Sequence, residues 1–322
     1  MRVYVTTVIR GADIESSGCI YCLDWAVGKI LNEVPVPVPS YKEVGPRGSK
    51  RGGRGIINWG NEIVVSNYDS LLFYDKDLNY LRKITHPLFC GIHEIDADDE
   101  GIWVSSTGIE SVLLVEPESG EVLRKHFVPG IAAFTEQSPY VEKGQMDLEK
   151  DYRNYIYARS EMSTHINCVE HASGATYALL SNLGAVIQVE PDYKLTVLDN
   201  TLKEPHNLLF LEERLVVNDT GRQTVKEYDL NTGKLVSEIN LNKLGLKIKK
   251  PGTILKGKIK ISTAGWLRGM SHLDGHRILV GISPSTVVEL DMDSGKIVKT
   301  MKLSNDVNNS IHGLFAFNES IL

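Results

Sequence analysis

An all-β chain closed into a six-bladed β-propeller is the fold the sequence predicts, and three observations predict it. A unit of about 40 residues recurs along the chain, the length of one propeller blade. Each copy alternates runs rich in β-branched and aromatic residues with reversals such as "NTGK" at 231–234 and "DSGK" at 293–296, which reads as four antiparallel strands. The two ends of the chain each hold part of one further copy, so the ring can close and remove its open edge.

The N-terminal runs "RVYVTTVI", "GCIYCLDW" and "GKILNEVPV" supply a second, third and fourth strand with no first strand before them. Their partner is "IHGLFAF" at 311–317, so 311–322 and 1–38 are expected to form one shared blade. Complete blades are expected at 54–85, 93–127, 165–199, 206–240 and 268–303, all in a single domain over 1–322. Counting the shared blade as the first, an insertion at 128–164 separates the third and fourth. It is predicted to be partly helical, because Ser138-Pro139 suits a helix start and helix-favouring residues follow. Its Tyr140, Tyr152, Tyr155 and Tyr157 offer a stacking wall or a proton donor at the channel.

Composition bounds the function. Among 322 residues, 42% are hydrophobic and 24% charged, enough for a large core and against global disorder. The formal net charge of −6 argues against a nucleic-acid partner. No apolar run is long enough to span a bilayer, and "MRVYVTTVIRGADIE" reads as a strand, not a signal peptide, so no membrane partner is expected. Cys19, Cys22, Cys90 and Cys168 are too scattered for a disulfide framework, and a reducing, cytoplasmic setting follows as the expectation. Cys19 and Cys22, three apart in a strand, point to opposite faces and cannot chelate one metal together.

Over nearly its full length the repeat resembles six-bladed propellers such as the SMP-30, NHL-repeat and virginiamycin B lyase families. That resemblance implies the fold. The acidic metal ligands of the SMP-30 pattern have no counterparts at matching positions, so it assigns no site here.

The site expectation comes from the repeat itself. Aligned by eye, the innermost strands begin with Arg54, His93, His165, His206, Arg268 and His312. Strand formation requires no cationic or metal-binding group there, so the ring reads as a functional mouth of the channel. His93, His165 and His206 come from consecutive blades and suit Fe, Mn or Zn, with His312 a further ligand and Glu94, Glu161 or Glu204 orienting the imidazoles. The geometry is similar to that of carotenoid-cleaving dioxygenases, which hold iron with propeller histidines. Arg54 and Arg268 suit a clamp on carboxylate, sulfate or phosphate, supported by the basic stretches 45–55 and 242–260. Polar turn residues Asn67, Ser106, Asn182, Asn218, Asp219 and Ser283 surround the mouth.

The expected function is thus an enzyme of lyase, oxygenase or hydrolase type acting on a small anionic substrate. Arg54, Arg268 and His312 are its catalytic residues, and Asn67, Asn182, Asn207, Tyr155 and Tyr157 contact the substrate. Two alternatives stand beside it. One is a metal-free His/Arg transferase or lyase, for which arylsulfate sulfotransferases, also with His and Arg in a six-bladed channel, provide the likeness. The other is a propeller that binds a partner without chemistry, its imidazoles simply hydrogen-bonded around channel water.

Overall fold

A computed structural model describes residues 1–11, 17–39, 52–130, 147–155, 162–246 and 265–317, with the backbone alone of 253–256 and 259–262. Six four-stranded antiparallel sheets form the blades. Blade 1 joins the two ends of the chain: β1 (Arg2–Ile9), β2 (Cys19–Asp24) and β3 (Lys29–Pro35) with the last strand of the chain. Blade 2 is β4 (Ile56–Trp59), β5 (Glu62–Ser66), β6 (Ser70–Tyr74) and β7 (Tyr80–Thr85). Blade 3 is β8 (Ile92–Ala97), β9 (Ile102–Ser106), β10 (Ser111–Val115) and β11 (Val122–Phe127). Blade 4 is β12 (Ile166–Ala172), β13 (Ala175–Leu180), β14 (Ala185–Glu190) and β15 (Lys194–Leu198). Blade 5 is β16 (Leu208–Leu211), β17 (Arg214–Asp219), β18 (Thr224–Asp229) and β19 (Leu235–Asn240). A separate hairpin, β20 (Thr253–Lys256) and β21 (Ile259–Ser262), precedes blade 6, which is β22 (Leu267–Asp274), β23 (Arg277–Ile282), β24 (Thr286–Asp291) and β25 (Lys296–Lys302). The final strand, β26 (Asn309–Phe317), pairs antiparallel with β1 from Arg2↔Phe317 to Ile9↔Asn309 and is the innermost strand of blade 1. The innermost strands β26, β4, β8, β12, β16 and β22 are each packed against the next, and β22 returns to β26.

Alternation along the strands makes the ring. In β5, Ile63 and Val65 pack toward blade 1 while Val64 packs toward blade 3. A middle strand is therefore apolar on both faces and reads as a continuous hydrophobic run. Six apolar clusters fill the six wedges between neighbouring blades. Burying each such side chain contributes roughly 1.5–3 kcal/mol. Outer strands face solvent on one side, as in β25, where half-buried and exposed positions alternate. Cys19 and Cys22 project into different wedges, as their spacing in one strand requires, and all four cysteines are free thiols. The described parts of the 128–164 insertion are a single helical turn at Val128–Gly130, turns within 147–155 and a buried bend at 162–164. Ser138, Pro139, Tyr140, Tyr157 and Glu161 lie outside the described residues, as do the side chains of 247–264.

Candidate functional site

A β-bulge at the start of each innermost strand builds the site. In blade 3, Ile92 pairs with Ser106 and Ile95 with Val104, so His93 and Glu94 together face Ser105. Glu94 N donates to Ser105 Oγ (2.9 Å), which donates back to Glu94 O (2.7 Å). The same two-against-one register recurs at Arg268-Gly269 opposite Gly281 and at His312-Gly313 opposite Thr6. Arg54-Gly55 opposite Ser66 and His206-Asn207 opposite Asn218 share it through paired backbone bonds. Such bulges re-aim side chains where a regular strand cannot.

Register corrects one expected position. In blade 4 the bulged pair opposite Leu179 is Asn167-Cys168, so Asn167, not His165, is the counterpart of His93. The buried residue just before the ring position confirms this: Ile92, Ile166, Leu267 and Ile311 are all fully buried in inter-blade wedges. His165 stands two residues upstream, at a left-handed position (φ 49°) that Gly91 (φ 62°) and Glu204 (φ 51°) also occupy in their blades. Glu110 anchors this turn by accepting from Thr164 N (2.6 Å) and Thr164 Oγ1 (2.8 Å).

From that position His165 nevertheless joins the cluster. The His93 ring lies 5.6 Å from that of His165, 6.3 Å from His206 and 5.3 Å from His312, centroid to centroid. His93 is the hub. Its Nδ1 is buried and makes no hydrogen bond among the described residues. His206 Nδ1 instead donates to the Glu204 carbonyl (2.7 Å), and His165 Nδ1 lies 3.1 Å from Met162 Sδ. Glu204 thus orients an imidazole through its backbone carbonyl. Arg54 donates to Ile92 O and lies over the Tyr68 ring (5.6 Å), and Arg268 lies over Trp266 (5.7 Å). Arg54, Arg268 and the four imidazoles are all between 3% and 9% exposed, so the cluster is enclosed, where an open mouth was expected.

Glu94 is the residue whose role the sequence understated. Its bulge brings it to 3.3 Å from His312 Nδ1, and the Asn207 amide donates to it. That amide is oriented because Asn207 Oδ1 accepts from Gly269 N (2.9 Å) and Asn218 Nδ2 (3.2 Å). Burial pushes the Glu94 carboxyl well above the usual range, opposed by the Asn207 bond and by Arg268 and Arg54. Burial likewise holds His93 well below the usual imidazole range, helped by Arg54 and the neighbouring imidazoles. Burial thus favours the uncharged forms of His93 and Glu94, beside the two guanidiniums.

Among the described residues no group of three His, Cys, Asp or Glu side chains is arranged to hold a metal ion. Most of the expected polar surround serves the backbone. Asn67 Oδ1 closes its own turn, accepting from Asp69 N (3.1 Å) and Ser70 N (2.9 Å). Ser106 Oγ donates to Leu88 O (2.7 Å). Asn182 is exposed and donates to Met162 O (3.0 Å), beneath His165. Asp219, pushed up to about 6 by burial, accepts from Lys203 N (2.8 Å). Tyr155 is partly exposed, packs edge-on against Tyr152, and accepts the Tyr68 hydroxyl at its carbonyl (2.6 Å). Of the expected substrate contacts among the described residues, only Asn207 lies in the cluster.

The fold and this cluster define a six-bladed propeller with histidines and arginines buried at its centre. No protein-family model and no curated protein matches the chain. Solved structures do. A protein of unknown function from Bacteroides caccae is 14% identical over 99% of each chain, with a TM-score of 0.61. Virginiamycin B lyase from Staphylococcus aureus is 11% identical over 98% of this chain and 93% of its own, with a TM-score of 0.54. U3-55K is 11% identical over 98% of this chain and 86% of its own, with a TM-score of 0.55. At these identities the likeness is one of fold. No helix among the described residues is long and apolar enough to cross a membrane.

Proposed function

We infer that the protein is an enzyme whose buried channel centre acts on a small anionic substrate by metal-free histidine acid–base chemistry, of lyase or transferase type. One observation carries this reading: four imidazoles, two guanidiniums and Glu94 are gathered in one enclosed place. Burying so many polar and ionisable groups opposes folding, and strand register requires none of them. Perturbed groups of this kind cluster where chemistry is done.

The roles follow from the environments. His93, whose neutral form burial favours and whose Nδ1 has no partner among the described residues, is assigned as the base, and Glu94, whose protonated form burial favours, as the acid. Arg54 and Arg268 hold the anion. In an elimination beside a carboxylate, His93 would take the proton from carbon, the C–H pair would form the double bond, and the leaving group would depart with a proton from Glu94. Virginiamycin B lyase has this fold, which makes lyase chemistry the first class to test. The metal-centred alternative would require three imidazole nitrogens about 2.0–2.2 Å from one point.

The test is a panel of β-substituted carboxylates and sulfate esters, with products identified by mass spectrometry and metal content measured on the same protein. Turnover that survives chelation and is lost in His93→Gln and Arg268→Lys supports the reading. Turnover that requires a stoichiometric metal restores the metal-centred enzyme. Tight binding across the panel without any product makes the propeller a binding module.

A further inference from the structure

Three indoles are buried in the described chain, and two of them donate to carboxylates. Trp25 Nε1 donates to Glu289 Oε2 (2.7 Å), and Trp103 Nε1 donates to Asp98 Oδ2 (2.7 Å). Trp266, only 7% exposed, has an Nε1 that is buried without any acceptor among the described residues. A buried N–H without a partner costs roughly 1–3 kcal/mol, so its persistence calls for an explanation.

Its position supplies one. Trp266 stands two residues before Arg268, whose guanidinium lies 5.7 Å from the indole centroid. Ser283, whose amide donates to Trp266 O (2.9 Å), also keeps a buried hydroxyl without a partner. A cation therefore lies beside one unsatisfied donor, and a second unsatisfied donor belongs to the residue paired with Trp266 at the end of the neighbouring strand. The acceptor that Trp25 and Trp103 each find in a carboxylate oxygen is the one Trp266 lacks.

We propose that Trp266 Nε1 donates a hydrogen bond to an oxyanion held by Arg268, with Ser283 Oγ as a second neutral donor. The ligand is a carboxylate, sulfate or phosphate group, because these present the oxygen lone pairs that a guanidinium and neutral N–H and O–H donors share. This rests on the anionic-substrate reading and adds the residues that recognise the anion. A halide, with no directed lone pairs, gains less from the arrangement.

The experiment uses the whole protein with inorganic sulfate as probe. Of the chain's four Trp, the indole N–H signal of Trp266, assigned by its loss in Trp266→Phe, should shift on titration with sulfate. Those of Trp25 and Trp103 should stay in place. Trp266→Phe keeps a ring beneath Arg268 and should weaken sulfate binding by about tenfold or more, as expected for a hydrogen bond to a charged group. Ser283→Ala should weaken it by less. Sulfate that binds the wild type with no movement of the Trp266 signal, and equally well to Trp266→Phe, overturns the proposal and leaves the anion reading intact. Sulfate that fails to bind the wild type removes both.

Discussion

The two halves of the ring solve the same backbone problem differently. In blades 6, 1 and 2 the second residue of each bulged pair is glycine: Gly269, Gly313 and Gly55. In blades 3, 4 and 5 it is Glu94, Cys168 and Asn207. A Cβ on Gly313 would run into Arg54 O and come within 2.7 Å of Thr6 Oγ1. One on Gly55 would sit 2.6 Å from Ile95 N. At Gly313 and Gly55 backbones approach too closely for any side chain, and Gly269 stands at a left-handed φ of 77°, so in that half the side chains of the bulges are those of the first residues, Arg268, His312 and Arg54. The other half leaves room for a second polar group and uses it for Glu94 and Asn207. The side that holds both guanidiniums is thus the tightly packed one, and the side that holds Glu94 and Asn207 is the roomier one.

The most disruptive way to break this comparison is to remove β26. Truncation after Asn308 deletes the innermost strand of blade 1, with Gly313 and His312, and exposes the inner edge of β1. The expected result in thermal denaturation is loss of the single cooperative transition, because each wedge is packed by both of its neighbours.

Glycine substitution is the next largest effect. Gly313→Ala should cost about 1–3 kcal/mol or more, the range for overpacking a rigid site. Cys168→Ala, at the same register position in the roomier half, should cost about 1 kcal/mol, the centre of the ordinary range. Chemical denaturation of both variants checks this, and equal costs would erase the distinction between the halves.

A smaller effect isolates His165. Asn tolerates the left-handed backbone, so His165→Asn should leave stability within about 0.5 kcal/mol while removing the ring beside His93. Turnover should fall with no change in melting temperature. His165→Asn that is as active as the wild type would place His165 outside the chemistry.

The blade count, the shared blade and five of the six ring positions were legible in the sequence because they rest on period and turn chemistry. The sixth was not. Residue type points to His165, whereas the register signal is the large apolar residue that precedes four of the six ring positions: Ile92, Ile166, Leu267 and Ile311. A bulge inserts a residue, so simple strand counting slips at the very place where the site begins. The work of the polar turn residues was hidden for a related reason. Thr107 Oγ1 donates to Ile166 O (2.6 Å) and Thr220 Oγ1 to Leu267 O (2.6 Å), each in the next blade. Nothing local in the chain announces an acceptor so far away in sequence.

The smallest and sharpest prediction concerns His93 and Glu94, neighbours in one bulge with opposite pH signatures. His93 is held below its ordinary range in the folded protein. As pH falls below about 6.5, the unfolded chain takes up the proton first, so this residue makes stability decline toward acid. Glu94 is held above its ordinary range. As pH rises above about 4.3, the unfolded chain loses the proton first, so this residue makes stability decline toward base until the folded carboxyl itself ionises. Each contributes a slope of at most about 1.4 kcal/mol per pH unit. Glu94→Gln should therefore lift stability at neutral pH relative to the wild type and steepen the loss between about pH 6.5 and 4.5, where the two slopes now oppose each other. His93→Gln should flatten the acid limb instead. Denaturant midpoints measured across this range for the three proteins decide the matter. A Glu94→Gln curve parallel to the wild type would mean that the carboxyl is not held protonated, and the acid in the proposed elimination would have to be one of the imidazoles.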